Sequence, residues 1–167
     1  LQPKIHMETG ALIGAEALVR WIRKDGTIIP VEQFLPSFEK NGFITKVDFE
    51  MLRQVLKLQQ EMRLSGKKEL PIAVNFSKKH QENLEYMEEL DALLEEYQAS
   101  ADMLEIEITE SIFMRNVETL TQSIQALKQR GISVSIDDFG AGYSSLNLLS
   151  SIKADTVKLD RQFLLSV

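Results

Sequence analysis

The segment Leu104-Glu105-Ile106-Glu107-Ile108 constrains the fold more than any other. Side chains alternate between the two faces of a strand, so three apolar residues share one face and two glutamates the other. The same division recurs along the chain. Ile132, Val134 and Ile136 oppose Ser133, Ser135 and Asp137, while Leu70, Ile72, Val74 and Phe76 oppose Ala73, Asn75 and Ser77. Glu16, Leu18 and Arg20 oppose Ala15, Ala17, Val19 and Trp21, and Lys158 and Asp160 oppose Val157 and Leu159. Each strand thus has a greasy face for helices and a second face that turns polar toward its C-terminal end.

Helical periods separate these strands. Residues 31–40 predict a short helix after Pro30, and Thr45-x-x-Asp48 reads as a capping box for a longer helix that Gly66 ends. Leu84, Met87, Leu90, Leu94 and Tyr97 mark another helix. Asn116 caps one with Leu120, Ile124 and Leu127 on one face and Gly131 at its end, and a short helix is expected around residues 144–149. Residues 2–7 and 11–21 predict an antiparallel hairpin about Glu8-Thr9-Gly10. Strands alternating with helices imply parallel βαβ units. The fold class is therefore α/β. The polar interior and the hairpin start favour an incomplete (β/α)8 TIM-like barrel with an antiparallel first strand, about six of eight strands present, over an open doubly wound sheet.

Composition narrows the chemistry. The 167 residues, 44% hydrophobic, suffice for a real core and for one domain or part of one. A net charge of −6 argues against binding a nucleic-acid polymer, and an anionic ligand would need a metal or a few placed Arg and Lys residues. Without cysteine, disulfides, zinc-thiolate sites and thiol catalysis are excluded. That fits a reducing cytosol, so a cytoplasmic chain, or the cytoplasmic part of a larger membrane-anchored protein, is expected. No apolar run approaches the roughly 20 residues of a membrane span.

The polar strand ends gather Glu16, Asn75, Glu107, Asp137, Asp138 and Lys158. Carboxylates and an amide without His or Cys are hard ligands, suited to Mg2+, Mn2+ or Ca2+ over zinc. Four carboxylates and an amide can hold two cations roughly 3.5–4 Å apart, the arrangement that activates water for phosphoryl displacement. Lys158 would orient that water or neutralise developing charge, and Arg20 would grip a phosphate. The reading is metal-assisted phosphoester hydrolysis. Taken singly, each residue has a plainer explanation. Glu16 fits a strand-end ion pair with Arg20, Asn75 a turn, Lys158 a solvated lysine, and Arg20-Trp21 simple packing with a snorkelled guanidinium. Glu105 fits an ion pair outside the site, and Glu110 a helix cap or a supporting role. His6 and His80 read as structural or surface residues, and the acidic run at 85–96 as an exposed helix face. Adjacent carboxylates at Asp137-Asp138, before a glycine-rich loop, are the hardest to explain without a cation, a proton or a substrate.

Several motifs, in order and spacing, resemble the EAL domain, the bacterial cyclic-di-GMP phosphodiesterase family. They are Gln2-Pro3, Glu16-Ala17-Leu18 with Val19-Arg20-Trp21, Asn75-Phe76-Ser77, Glu107-Ile108-Thr109-Glu110-Ser111, Asp137-Asp138-Phe139-Gly140 with Gly142-Tyr143-Ser144-Ser145-Leu146, and Lys158-Leu159-Asp160. The resemblance implies hydrolysis of cyclic-di-GMP to linear pGpG. It implies that Glu16, Asn75, Glu107 and Asp137 ligate a first Mg2+ or Mn2+, that Asp138 holds a second, and that Ca2+ inhibits. Lys158 would contact the attacking water, and Glu110 would brace the loop after Asp137-Asp138. Leu18, Arg20 and, with them, Gln2 would contact the dinucleotide. A homodimer and an upstream sensory or GGDEF domain are also implied. Ala141 stands where the family usually has Thr. The family continues for about two more strands, with the Glu of a Glu-Gly-Val-Glu motif as ligand and general base and a Gln-Gly motif near the ligand. The sequence stops at Val167 before either, so a domain spanning 1–167 without those strands is expected, with little hydrolysis by this chain alone. The alternative is a non-catalytic cyclic-di-GMP receptor or a dimerisation module.

Overall fold

The chain opens with two strands folded back on each other. β1 (Gln2–Ile5) and β2 (Leu12–Ala17) pair antiparallel, with Gln2 opposite Glu16 and Lys4 opposite Gly14. The His6 N–H donates to the Ala11 carbonyl at 2.9 Å and the Gly10 N–H to the His6 carbonyl at 2.8 Å. Gly10 turns the chain at φ +68°, a left-handed conformation that costs glycine little. These positions come from a computed structural model, which describes residues 1–82, 84–110, 117–140 and 152–161. The expected Asn116 cap and the short helix at 144–149 lie outside the described residues.

β2 is shorter than its apolar pattern predicts, ending at Ala17 rather than Trp21. β3 (Trp21–Ile22) and β4 (Ile28–Ile29) instead make a separate two-stranded ribbon. The cause is aromatic packing against α1 (Val31–Asn41). Trp21 meets Phe34 edge-on with ring centroids 5.4 Å apart and stacks on Phe38 at 5.9 Å, contacts worth about 0.5–1.5 kcal/mol each beyond their burial. Leu18 and Arg20 consequently leave the strand face that they were expected to share with Glu16.

α2 (Ile44–Leu64) starts one residue early and lacks the expected capping box. Thr45 Oγ1 donates back to the Gly42 carbonyl at 3.1 Å. Asp48 is buried and accepts from the Ser77 N–H at 2.8 Å, with His80 Nε2 3.1 Å from the same oxygen. Asp48 therefore ties the helix to the chain just beyond β5 (Ile72–Asn75). His80 itself is structural, enclosed by Phe49, Phe76 and Tyr86.

α3 (Tyr86–Glu96), β6 (Leu104–Thr109), α4 (Val117–Gln129), β7 (Ser133–Phe139) and β8 (Thr156–Leu159) complete the described elements. The main sheet has six strands in the order β1-β2-β5-β6-β7-β8, parallel from β2 onward. Its apolar face carries Ile72, Val74, Ile106, Ile108, Val134 and Ile136. Against it lie Leu52 and Leu56 from α2, Leu90 from α3, and Leu120, Ile124 and Leu127 from α4. Each of these side chains is almost fully buried, worth about 1.5–3 kcal/mol apiece. The architecture is an α/β half-barrel. β2 and β8 are four strand steps apart, roughly 19 Å in a flat sheet at about 4.8 Å per step. Yet Lys158 on β8 bonds Glu16 on β2 at 3.0 Å, so the sheet must curl strongly toward its polar face.

Gly14 shows how closely the strands of that curl approach. A Cβ there would lie 2.7 Å from the Pro71 carbonyl oxygen, which already accepts from the Ala15 N–H at 3.0 Å. Gly14→Ala should therefore cost about 1–3 kcal/mol through backbone displacement, read as a lower urea midpoint. A midpoint equal to the unsubstituted protein's would show that the β2–β5 junction yields freely.

Candidate functional site

β7 does not stop at Ile136 but runs through both aspartates to Phe139. Ile136 pairs with Val157 and Phe139 with Leu159, so three steps on β7 face two on β8. The ladder is irregular at the aspartates, and Asp138 sits at φ +57°. Such a bulge re-aims side chains, and aspartate tolerates the left-handed region better than most residues. Asp137 is directed into the curl. Asp138 is exposed, and its backbone N–H donates to Asp137 Oδ1 at 2.9 Å.

Three carboxylates converge inside the half-barrel. Oxygens of Glu16, Glu107 and Asp137 all lie within 4.8 Å of one another. They come from the C-terminal ends of β2, β6 and β7, where the polar faces of the strands meet. The Lys158 ammonium donates to all three, to Glu107 Oε2 at 2.7 Å, Glu16 Oε2 at 3.0 Å and Asp137 Oδ2 at 3.0 Å. Asn75 Nδ2 donates to Glu16 Oε1 at 2.9 Å. The Glu16–Arg20 ion pair weighed from sequence is not formed. Arg20 is exposed and donates instead to the Val19 carbonyl at 2.8 Å.

The electrostatics follow from burial and these bonds. Burial opposes the charge on Lys158, but its bonds to Glu107, Glu16 and Asp137 outweigh that and hold the ammonium well above the ordinary lysine range. Burial likewise pushes Glu16 up, yet the Asn75 and Lys158 bonds leave it below the usual carboxylate range. Glu107, whose side chain has no exposure, stays above that range because its lysine partners only partly offset desolvation. Asp138 is also raised, by burial and by the charges of Asp137, Asp160 and Glu110.

A second tier lies beneath. Lys4 donates to Glu105 Oε2 at 2.7 Å and to Glu107 Oε1 at 3.0 Å. Glu105 does pair with a basic residue, as expected, but that residue also holds Glu107. Sequence reasoning passed over Lys4. The available signal was its place two residues beyond Gln2, on the same face of β1. Glu110 is buried and accepts from the Gly140 N–H at 2.8 Å, anchoring the first residue after Phe139.

Beside the carboxylates opens a cavity of about 360 Å3. Glu16, Asn75 and Asp137 form its polar edge, Leu18, Leu35 and Met51 are among its apolar walls, and Arg20 stands on its rim. Gln2 lies elsewhere, in a smaller cleft with Lys4, Glu16 and Lys158. Oxygen donors alone, three of them anionic, fit a hard divalent cation. The Glu16, Glu107 and Asp137 cluster can hold one, while Asp138 stands outside it among Asp137, Asp160 and Glu110.

The family model for the EAL domain matches residues 1–167. Among curated proteins the chain is 32% identical over 166 residues to the cyclic di-GMP phosphodiesterase NbdA of Pseudomonas aeruginosa, covering 99% of this chain and 21% of that protein. It is 33% identical over 163 residues to the bifunctional diguanylate cyclase/cyclic di-GMP phosphodiesterase MucR of the same organism, covering 98% and 24%. The chain thus spans about a fifth to a quarter of the length of these relatives. A MucR phosphodiesterase solved as its c-di-GMP complex superposes with TM-score 0.89 at 33% identity, over 99% of this chain and 67% of that one. The EAL domain of Mycobacterium smegmatis DcpA superposes with TM-score 0.74 at 30% identity, over 97% and 64%. No described helix is long and apolar enough to cross a membrane.

Lys158→Met removes the common partner of three carboxylates. Breaking a buried ion pair from one side costs about 3–5 kcal/mol, and the lower figure applies because the Lys158 side chain is 28% exposed. In chelator the thermal midpoint should fall accordingly, and Mn2+ should restore much of it. An undiminished midpoint in chelator would mean that the carboxylates need no shared counter-charge. The pH dependence has a fixed sign. Lys158 is raised, so its contribution is full below about pH 10 and fades only above its elevated pKa. Glu16 is lowered, so its contribution is full above about pH 5 and is lost as pH falls through its depressed pKa. A midpoint-against-pH curve should show the acid limb weakened in Glu16→Gln.

Proposed function

The chain belongs to the EAL domain family, and from that premise we propose that its site hydrolyses cyclic-di-GMP to linear pGpG with Mg2+ or Mn2+. The observation that carries this reading is the convergence of Glu16, Glu107 and Asp137, two of which, Glu16 and Asp137, border a mostly apolar cavity. Glu16, Asn75, Glu107 and Asp137 would hold the first cation. Asp138, crowded by neighbouring carboxylates, would favour a second. When bound, such a metal pair supplies Lewis-acid stabilisation of phosphoryl oxygens and makes water acidic enough to attack near neutral pH.

The chain's own residues supply the rest. The apolar walls around Leu18, Leu35 and Met51 would take a base of the dinucleotide and exclude water. Arg20, on the rim with its guanidinium toward solvent, would turn to a phosphate as a bidentate donor. Lys158, fixed as an ammonium, would orient the attacking water and offset charge developing on the phosphoryl oxygens. It cannot serve as a base near neutral pH, because its proton is held far too tightly. Glu110, bonded to Gly140, would set the course of the chain beyond Asp138.

A specific observation favours a second reading. Lys158 already satisfies one oxygen of each of the three carboxylates, a built-in counter-charge that suits a site binding cyclic-di-GMP without cutting it. Cyclic-di-GMP incubated with purified protein and Mn2+, with pGpG followed by chromatography, separates the two. The enzyme reading expects turnover that chelator abolishes and that Glu16→Gln or Asp137→Asn reduces about a hundredfold or more. Arg20→Ala should mainly raise KM, by about tenfold, as loss of a charged phosphate contact does. Tight binding without turnover in Mn2+ would establish the receptor instead.

A further inference from the structure

The Lys4 pairing is more than a salt bridge at a strand edge. Lys4 lies on β1, three strand steps from β6, where both of its partners stand. Opposite it on β2 is Gly14, and opposite Glu105 on β5 is Ala73. The positions paired with the two ends of this contact thus carry the smallest side chains, so neither sets a long side chain beside the lysine stem. At its end Lys4 shares its donors between Glu105 and Glu107, and Glu107 divides its oxygens between two cations. Oε1 faces Lys4 at 3.0 Å and Oε2 faces Lys158 at 2.7 Å. The plane of the Glu107 carboxylate is thereby fixed, with Oε2 turned toward Glu16 and Asp137.

We propose that Lys4 is a positioning residue of the metal centre, holding Oε1 of Glu107 so that only Oε2 is offered to a bound cation. This rests on the reading of Glu16, Glu107 and Asp137 as metal ligands. Lys4 also separates the charge of Glu105 from that of Glu107, two carboxylates on one face of β6. Two effects of Lys4 on a cation oppose each other, and their signs separate the possibilities. As a mere nearby positive charge Lys4 would repel a divalent ion, so removing it would tighten binding. As a positioning residue it behaves like other outer partners of metal ligands, whose loss weakens metal affinity about 10–100-fold.

Mn2+ titration of the purified protein, followed by calorimetry and by the Mn2+ paramagnetic resonance signal, reads this directly. Lys4→Met should weaken Mn2+ binding about tenfold or more, and Lys4→Arg should return it to within about threefold of the unsubstituted protein. Should Lys4→Met fail to fold, Lys4→Gln serves, since its shorter chain keeps the site polar but falls short of Glu107; the same loss is expected. Mn2+ affinity that is unchanged or higher in the folded variant overturns the proposal alone. Failure of the unsubstituted protein to take up Mn2+ overturns it together with the metal reading. Normal uptake and normal sensitivity to Lys4→Met, without hydrolysis of cyclic-di-GMP, would uphold it while removing the phosphodiesterase reading.

Discussion

The Lys158 ammonium, held by Glu107, Glu16 and Asp137, is the interaction on which the half-barrel's interior depends. Carboxylates brought together away from water repel one another and lose hydration, so they need a counter-charge within reach. The central strands supply the anions, Glu16 on β2, Glu105 and Glu107 on β6, and Asp137 on β7. The two outermost described strands supply the cations, Lys4 from β1 and Lys158 from β8. An edge lysine can reach a central carboxylate only if the sheet curls. The polar face is therefore satisfied by the same bending that lets the apolar face pack on α2, α3 and α4.

The bulge at Asp137 and Asp138 adds a local asymmetry to that frame. With three residues of β7 set against two of β8, one aspartate enters the curl and the other stays at its rim. The left-handed backbone at Asp138 is a conformation that aspartate accepts at modest cost. Glu110 then fixes the next turn through the Gly140 N–H. The two carboxylates thus have different environments although they are adjacent in sequence. Asp137 is paired with an ammonium, whereas Asp138 has its pKa raised by partial burial and then by the charges of Asp137, Asp160 and Glu110.

The strand faces made much of this legible from sequence. Period-two alternation placed Glu16, Asn75, Glu107, Asp137 and Lys158 on one surface, and the structure brings them within bonding distance. What alternation cannot carry is the third dimension of the sheet. Lys4 is 101 residues from Glu105, and nothing local to Gln2-Pro3-Lys4-Ile5 says how far the sheet curls. The end of β2 differs because Trp21 continues the apolar pattern but pairs with Ile29 in the separate ribbon and packs on Phe34 and Phe38. The Thr45-x-x-Asp48 pattern misled for a related reason. Its aspartate serves the Ser77 N–H and the His80 ring, a tertiary use that outranks a local cap. The Asp25-Gly26 turn of the β3–β4 ribbon was passed over as well, although such a dipeptide favours a tight reversal.

Charge balance links the fold to its chemistry. Four carboxylates, Glu16, Glu105, Glu107 and Asp137, share the interior with two ammonium groups, Lys4 and Lys158. With every group ionised, two negative charges are left over, the charge of one divalent cation. A proton is the alternative way to lower that excess, and the raised pKa of Glu107, the most buried of the four, marks where it would reside. A divalent ion and a proton would thus compete for the same oxygens. Because Lys158 binds one oxygen from each of three carboxylates, residues that would hold a cation would have to share those oxygens with its ammonium or release it.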